Sequence, residues 1–289
     1  MGSVVKRTDT RKTSRIMPVT LDEIVARTRE TIAVNKEATP LELLREQVAD
    51  APPPRNFFSA VVNGHGPGGT NVIAEFKRRS PSAGVIREDV DPVDIASRYE
   101  NAGAVAISCL TDGPYFGGSM EDLAAIRKGT GLPVLRKDFL VDPYQVWEAR
   151  VAGADAVLLI AELLSEGQLM DMLILAHELG MTSLVEVHDV EHLLRVQPHL
   201  GFPHPGYCLL GVNNRNLATM ETDPSHVLRM LDLVGEHIDV LVCESGIRTR
   251  EDMDRLRSHG IRRFLIGESL LVHEDPGVAL RELLDTPWR

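Results

Sequence analysis

A (β/α)8 TIM barrel of the α/β class, preceded by an N-terminal helical extension, is the architecture that three observations predict. Eight short apolar, β-rich runs follow Thr70, amphipathic segments separate them, and strand starts recur about every 27 residues. The runs are VIAEF (72–76), AVAISC (104–109), PVLRK (133–137), DAVLLI (155–160), SLVEV (183–187), YCLLGV (207–212), DVLVC (239–243) and RFLI (263–266). Strands apolar on both faces must lie beneath a layer of helices, and eight βα units of this size close a barrel. An open doubly wound sheet is the competing architecture. It calls for a glycine-rich phosphate fingerprint directly after the first strand, and none is present there.

The elements follow in chain order. Residues 1–17 are polar and basic (Lys6, Arg7, Arg11, Lys12, Arg15) without periodicity and read as a disordered tail. From Thr20 the pattern turns helical, with Leu21, Ile24, Val25, Thr28 and Ile32 on one face, Thr20 as N-cap and Glu23 completing a capping box. A second helix is predicted over 41–48. The Pro/Gly-rich stretches 51–55 and 63–69 then separate this region from the barrel. The organisation expected is one domain over 18–289, with 18–70 as an extension capping the barrel mouth. Helix-like segments between the strands include 91–102, 143–152, 165–179 and 250–259.

Composition narrows the class. With 289 residues, 43% hydrophobic and 25% charged, the chain has an ordinary globular make-up, unlike disordered, collagenous or disulfide-scaffold sequences. No apolar run reaches the roughly 18 residues of a membrane span, and no signal-like stretch follows the basic N-terminus, so a cytoplasmic location is expected. Acidic residues exceed basic ones by 42 to 31, a net charge of -11, which argues against a nucleic-acid-binding face. Cys109, Cys208 and Cys243 are odd in number and widely spaced, as expected of reduced, buried thiols.

The chemistry is predicted by strand parity. Residues two apart share a face, so Glu75 and Lys77 point together at the end of the first strand, away from Ala74 and Phe76. The same alternation pairs Lys137 with Leu135, Glu186 with Leu184, Asn213 with Gly211 and Glu244 with Val242. Arg136 then points outward. Any one of these charges alone is better read as a strand end escaping to solvent or forming a structural ion pair. Repetition over five strands, at the carboxyl face where barrel enzymes hold their sites, favours an acid/base site. The turns Glu244-Ser245-Gly246 and Gly267-Glu268-Ser269 close the last two strands, where barrels of this kind bind phosphate through backbone N–H groups. Glycines that merely permit tight turns are the plainer alternative. A phosphorylated small molecule is the expected ligand.

Two tempting motifs fail. The GxGxxG match at 64–69 precedes a strand and opens no helix, the reverse of a dinucleotide site. The HxxEH match at 188–192 needs both histidines on one helix, whereas His188 sits at a strand end and Asp189 reads as the cap of the next helix. No metal site is expected, and His199 and His204 read as surface residues.

The motifs AEFKRRSPSAG (74–84), TDGPYFGGS (111–119), LRKDF (135–139), LVEVHD (184–189), GVNNRNL (211–217), CESGI (243–247) and LIGESL (265–270) together resemble the indole-3-glycerol-phosphate synthase family. The likeness spans the barrel and includes the helical segment before it. It implies a carboxy-lyase of tryptophan biosynthesis that needs no cofactor or metal. Its substrate would be 1-(2-carboxyphenylamino)-1-deoxyribulose 5-phosphate, converted to indole-3-glycerol phosphate with loss of CO2 and water. Carried over by motif, Lys137 is the general acid for ring closure and Glu186 its acid/base partner. Glu75 and Asn213 position the substrate, and Lys77 pairs with its carboxylate or phosphate. Ser80, Arg215, Glu244 and Ser245 complete the polar shell, and Phe139 supplies an apolar wall. Gly246, Gly267 and Glu268 present backbone donors to phosphate, although some family members carry Ser where this chain has Glu268. A monomer or weak homo-oligomer, binding neither nucleic acid nor membrane, is expected. The alternatives are another phosphate-binding barrel isomerase, a lyase using Lys137 as a Schiff base, or a non-catalytic phosphosugar-binding module.

Overall fold

The computed structural model describes residues 20–216 and 221–285, so the tail expected over 1–17 lies outside the described residues. Eight parallel strands close a barrel: β1 (Asn71–Phe76), β2 (Ala106–Leu110), β3 (Val134–Lys137), β4 (Ala156–Ile160), β5 (Thr182–Val187), β6 (Cys208–Asn213), β7 (Leu241–Glu244) and β8 (Arg263–Ile266). Each pairs with its neighbours in sequence, and β8 returns to β1. Every apolar run read from the sequence becomes one strand. The seventh begins only at Leu241, because Gly235–Val240 winds as a 3-10 turn.

Alternation sorts the core into two layers. Ile73, Ala106, Leu135, Ala156, Leu158, Leu184, Leu209, Val242 and Leu265 face inward as one buried cluster. Val72, Ala74, Phe76, Ile107, Cys109, Val157, Leu159, Val185 and Phe264 face outward, beneath the helices. All three cysteines are free and buried. Arg136 does point outward, where it donates to the Gln145 carbonyl at 2.7 Å and pairs with Asp138 at 3.0 Å, tying β3 to the helix behind it.

The outer layer comprises α4 (Pro92–Asn101), α5 (Gly113–Phe116), α6 (Met120–Gly129), α7 (Pro143–Val151), α8 (Glu166–Glu178), α9 (Val190–Val196), α10 (His226–Val234), α11 (Arg250–Ser258), α12 (Glu268–Leu271) and α13 (Pro276–Leu284). Capping boxes at Asp142, Ser165 and Thr249 satisfy the first backbone N–H groups of α7, α8 and α11.

The extension contains α1 (Leu21–Ala38), α2 (Leu41–Asp50) and α3 (Phe57–Val62). Thr20 and Glu23 form the capping box that starts α1, and Ile24, Thr28 and Ile32 are its buried stripe. Leu21 and Ile24 reach the barrel mouth, whereas Ile32 and Leu44 pack with Tyr144 against the side of the barrel. The third helix, not singled out in the sequence, lies at the opposite end. There Phe58 N donates to Thr182 Oγ1 at 3.1 Å, Asn71 Nδ2 donates to the Val61 carbonyl at 2.9 Å, and Phe57 and Val61 close the interior from below.

That amino-terminal end is pinned by Asp155, which is wholly buried at the start of β4. Its carboxylate accepts from Arg55 N at 2.6 Å and Val134 N at 2.8 Å, and pairs with Arg127 at 2.9 Å. Replacing it would strand two backbone donors and a guanidinium together. Asp155→Ala is expected to lower the unfolding free energy by about 3–5 kcal/mol in urea titrations, while leaving the opposite, site-bearing end intact.

Candidate active site

The carboxyl ends of the strands enclose a cavity of about 370 Å³. Its wall includes Glu75, Lys77, Lys137, Phe139, Glu186, Asn213, Arg215, Glu244, Ser245, Gly246, Gly267 and Glu268, so twelve of the thirteen residues expected from sequence converge there. Ser80, the thirteenth, lines a smaller cavity beside it with Leu21, Ile24, Pro81 and Ser82. Lys77, Phe116, Phe139 and Arg215 are common to both cavities. Ser80 sits in a short hairpin, Arg79–Ser80 against Gly84–Val85, where its hydroxyl accepts from Ala83 N at 3.1 Å.

The floor of the cavity is a buried charge cluster. Lys137 Nζ lies 3.1 Å from Glu186 Oε2 and 3.3 Å from Glu244 Oε2, and Lys77 Nζ donates to Glu75 Oε1 at 2.6 Å. Asn213 Nδ2 donates to Glu186 Oε1 at 3.2 Å, while Asn213 Oδ1 accepts from Ser245 Oγ at 2.7 Å and from Arg215 N at 3.0 Å. Two glycines make room for these groups. On β6, Gly211 pairs in register with Glu186, and any side chain there would overlap the Glu244 carboxylate. Gly267 stands so close to Glu75 that an added Cβ would lie 2.6 Å from Oε1.

Burial alone would strip the charge from Lys137, but Glu186, Glu244 and Glu75 outweigh it and raise the lysine above its ordinary range. The two glutamates part company. Burial also opposes charge on Glu186, yet Lys137 and His188, with the hydrogen bond from Asn213, bring its carboxyl down to about 2. Burial and the neighbouring Glu186 charge push Glu244 well above the carboxylate range. The two carboxyls therefore titrate as a coupled pair drawn apart in acidity, with Lys137 beside them.

Beside the charges stands an apolar wall of Leu110, Phe116, Phe139, Leu158 and Ile160. The Phe116 and Phe139 ring centroids are 6.1 Å apart. Phe116 belongs to the 111–119 segment, whose likeness was legible although the residue itself was not singled out. Arg248, Thr222 and His273 also line the cavity and carried no signal in single-strand parity, since they come from loops. The turns after β7 and β8 face the cavity together. Gly246 has φ +82°, and Ser245 before it φ +63°, a left-handed conformation unusual for serine. The Glu268 carboxylate turns to Arg215 at 3.1 Å.

The rejected motifs can now be placed. Gly64–Gly69 precedes β1 and includes only the 3-10 turn Pro67–Gly69. His188 follows β5, Asp189 caps α9, and His192 lies within that helix, so the two histidines share no helical face. Glu162, Asp189 and His192 approach within 4.8 Å of one another, but His192 Nδ1 is already engaged by Asp189 Oδ1 at 2.8 Å, and the group forms a hydrogen-bonded cluster. His204 is exposed and His199 is half-buried, paired with Glu166 at 2.9 Å.

Comparison with known proteins identifies the family and the fold. Residues 21–283 match the family model described as indole-3-glycerol phosphate synthase. Proteins of that name from Rhodospirillum rubrum and Rhodopirellula baltica are 46% identical over 264 residues and 45% identical over 265, each match covering 91% of this chain and 98% of the relative. One from Desulfosudis oleivorans is 43% identical over 266 residues, covering 92% of this chain and 98% of the relative. Among solved structures, a mutant tryptophan synthase alpha-subunit from Pyrococcus furiosus superposes with a TM-score of 0.55 at 14% identity, covering 76% of this chain and 100% of its own. The 3-hexulose-6-phosphate synthase of Salmonella typhimurium gives 0.54 at 15%, covering 74% and 97%. These two likenesses establish the barrel fold. With the family model spanning nearly the whole described chain and relatives above 40% identity along it, this chain belongs to the indole-3-glycerol phosphate synthase family.

Proposed function

We propose that this chain closes the pyrrole ring of indole-3-glycerol phosphate at the barrel mouth, with Lys137 as general acid and Glu186 as its partner. The substrate, 1-(2-carboxyphenylamino)-1-deoxyribulose 5-phosphate, joins an aromatic ring to a phosphorylated sugar chain. The wall formed by Phe116 and Phe139 suits the ring, and the turns at Gly246 and Gly267–Glu268 suit the phosphate through their backbone N–H groups. Lys77 meets the substrate carboxylate or phosphate, Glu75 and Asn213 hold the sugar hydroxyls and the cationic intermediate, and Ser80, Arg215, Glu244 and Ser245 complete the polar shell.

Ring closure places negative charge on the attacked carbonyl oxygen, which the Lys137 ammonium stabilises and protonates. Carbon dioxide then leaves from the ring carbon, favoured beside an apolar wall. Loss of water needs one proton given to the departing hydroxyl and one removed, for which ionised Glu186 is the base. Dehydration completes the indole. Lys137 and the glutamates supply these proton transfers without a metal ion.

The observation that carries this reading is the setting of Lys137, whose Nζ lies 3.1 Å from Glu186 Oε2 and 3.3 Å from Glu244 Oε2. A Schiff-base lyase needs a neutral amine, whereas Glu186, Glu244 and Glu75 around this one favour its ammonium form. No helix among the described residues is long and apolar enough to cross a membrane. We place the enzyme in the cytoplasm as a monomer or weak homo-oligomer, with residues 18–70 and the barrel acting as one domain.

The test is indole fluorescence on adding the substrate with a chelator present. Wild type is expected to turn over, and Lys137→Ala to lose at least about a hundredfold in kcat with its fold retained. Borohydride with substrate should leave no reduced adduct. A silent wild type, a competent Lys137→Ala or a trapped imine would each overturn the reading. Gly267→Ala offers a second test, because its methyl must displace Glu75 from Lys77. A loss of about tenfold to a hundredfold in kcat/KM is expected, with an almost unchanged melting temperature. Undiminished activity would mean that the placing of Glu75 is immaterial.

A further inference from the structure

One largely buried titratable side chain at the carboxyl end of the barrel has no part in the chemistry above. His188 lies two residues beyond Glu186 at the end of β5, so the two return to the same face of the strand. Its Nε2 is 3.3 Å from Glu186 Oε1, and its Nδ1 is 3.1 Å from Glu162 Oε1. The backbone N–H of His188 also donates to Glu162 at 2.8 Å. Glu162 comes from the 3-10 turn after β4, and faces His192 at 3.5 Å, which in turn binds Asp189.

The exposure of these side chains rises along the series, from 2% for Glu186 to 10% for His188, 15% for Glu162, 23% for His192 and 53% for Asp189. The line thus runs from the floor of the cavity to solvent on the outer side of the β5 end. It also divides the labour of the Glu186 carboxylate. Oε1 accepts from Asn213 and faces His188 Nε2 at ion-pair distance, which leaves Oε2 to Lys137 and the cavity.

We propose that His188 is a positioning residue for Glu186, its ring bridging Glu186 to Glu162 so that one carboxylate oxygen is anchored and the other is presented to Lys137. This inference rests on the reading of Glu186 as the catalytic partner. A ring between two carboxylates is best satisfied with both nitrogens protonated. Burial opposes that charge, but Glu162 and Glu186 outweigh it, with Lys137 opposing, and hold His188 above the ordinary imidazole range. On its far side, the His188 carbonyl contacts His226 Nε2 at 2.7 Å, so the backbone is held as well as the ring.

The experiment compares His188→Leu, His188→Gln, Glu162→Gln and Glu186→Gln by steady-state kinetics, with thermal unfolding as a check on each fold. His188→Leu is expected to lower kcat by about tenfold or more and to move KM by less than about threefold, since it loosens a proton-transfer group and touches no part of the substrate. His188→Gln, which keeps one N–H donor, should recover part of the loss. Glu162→Gln should have a smaller effect, and should add little on top of His188→Leu, because it acts through the histidine. An unchanged kcat in His188→Leu, equal changes in kcat and KM, or full additivity with Glu162→Gln would overturn the proposal. Glu186→Gln separates the two levels of failure. If it abolishes turnover while His188→Leu leaves kcat unchanged, only the positioning role falls; if it is harmless, the catalytic reading of Glu186 falls with it.

Discussion

The site depends on one buried ammonium. Lys137 is withdrawn from water at the end of β3, and an isolated charge in such a place costs several kcal/mol. It survives because β5 and β7 bring Glu186 and Glu244 within 3.3 Å, with Glu75 close enough to add its field. The carboxylates face the converse problem. The two compete for one lysine, so burial and the neighbouring charge push Glu244 up while Lys137 helps to draw Glu186 down. A weaker and a stronger acid are thereby fixed side by side in the floor of the cavity, by electrostatics alone.

The rest of the barrel serves that arrangement by division of labour between its ends. At the amino-terminal end, Asp155 gathers Arg55, Val134 and Arg127, and α3 fills the opening with Phe57 and Val61, so stability is concentrated away from the chemistry. At the carboxyl end the packing yields where charge must fit. Gly211 and Gly267 give up their side chains to Glu244 and Glu75, each on a neighbouring strand or its turn. Beyond the charges, Phe116 and Phe139 present an apolar wall, and the start of α1 adds Leu21 and Ile24 to the rim.

Much of this was legible in the sequence because strand parity is a strict rule. A single alternation placed Glu75, Lys137, Glu186, Asn213 and Glu244 inward, and the same alternation sent Arg136 outward, where it finds Asp138 and the Gln145 carbonyl. Contacts made across the fold carry no such rule. Nothing local in FFSAVV, at 57–62, says that it will form a plug rather than a lid, since its partners Asn71 and Thr182 are set by barrel closure. His188 was visible as half of a failed metal motif and within LVEVHD, with no role attached to it. Its relation to Glu186 follows from period two, but its relation to Glu162 needs β4 and β5 to lie side by side. Loop residues such as Phe116 and Arg248 were hidden for the same reason.

The most direct measurement is the protonation state of Lys137 itself, followed by the nitrogen and side-chain carbon resonances of the labelled lysine, assigned with Lys137→Ala. The titration would run from about pH 6 to about pH 10, approaching the range in which an ordinary lysine deprotonates. An ammonium signal that persists unchanged throughout is expected of a lysine held by Glu186, Glu244 and Glu75. A resonance that titrates to the neutral amine near neutral pH would contradict it, and would return Lys137 to the role of a nucleophile.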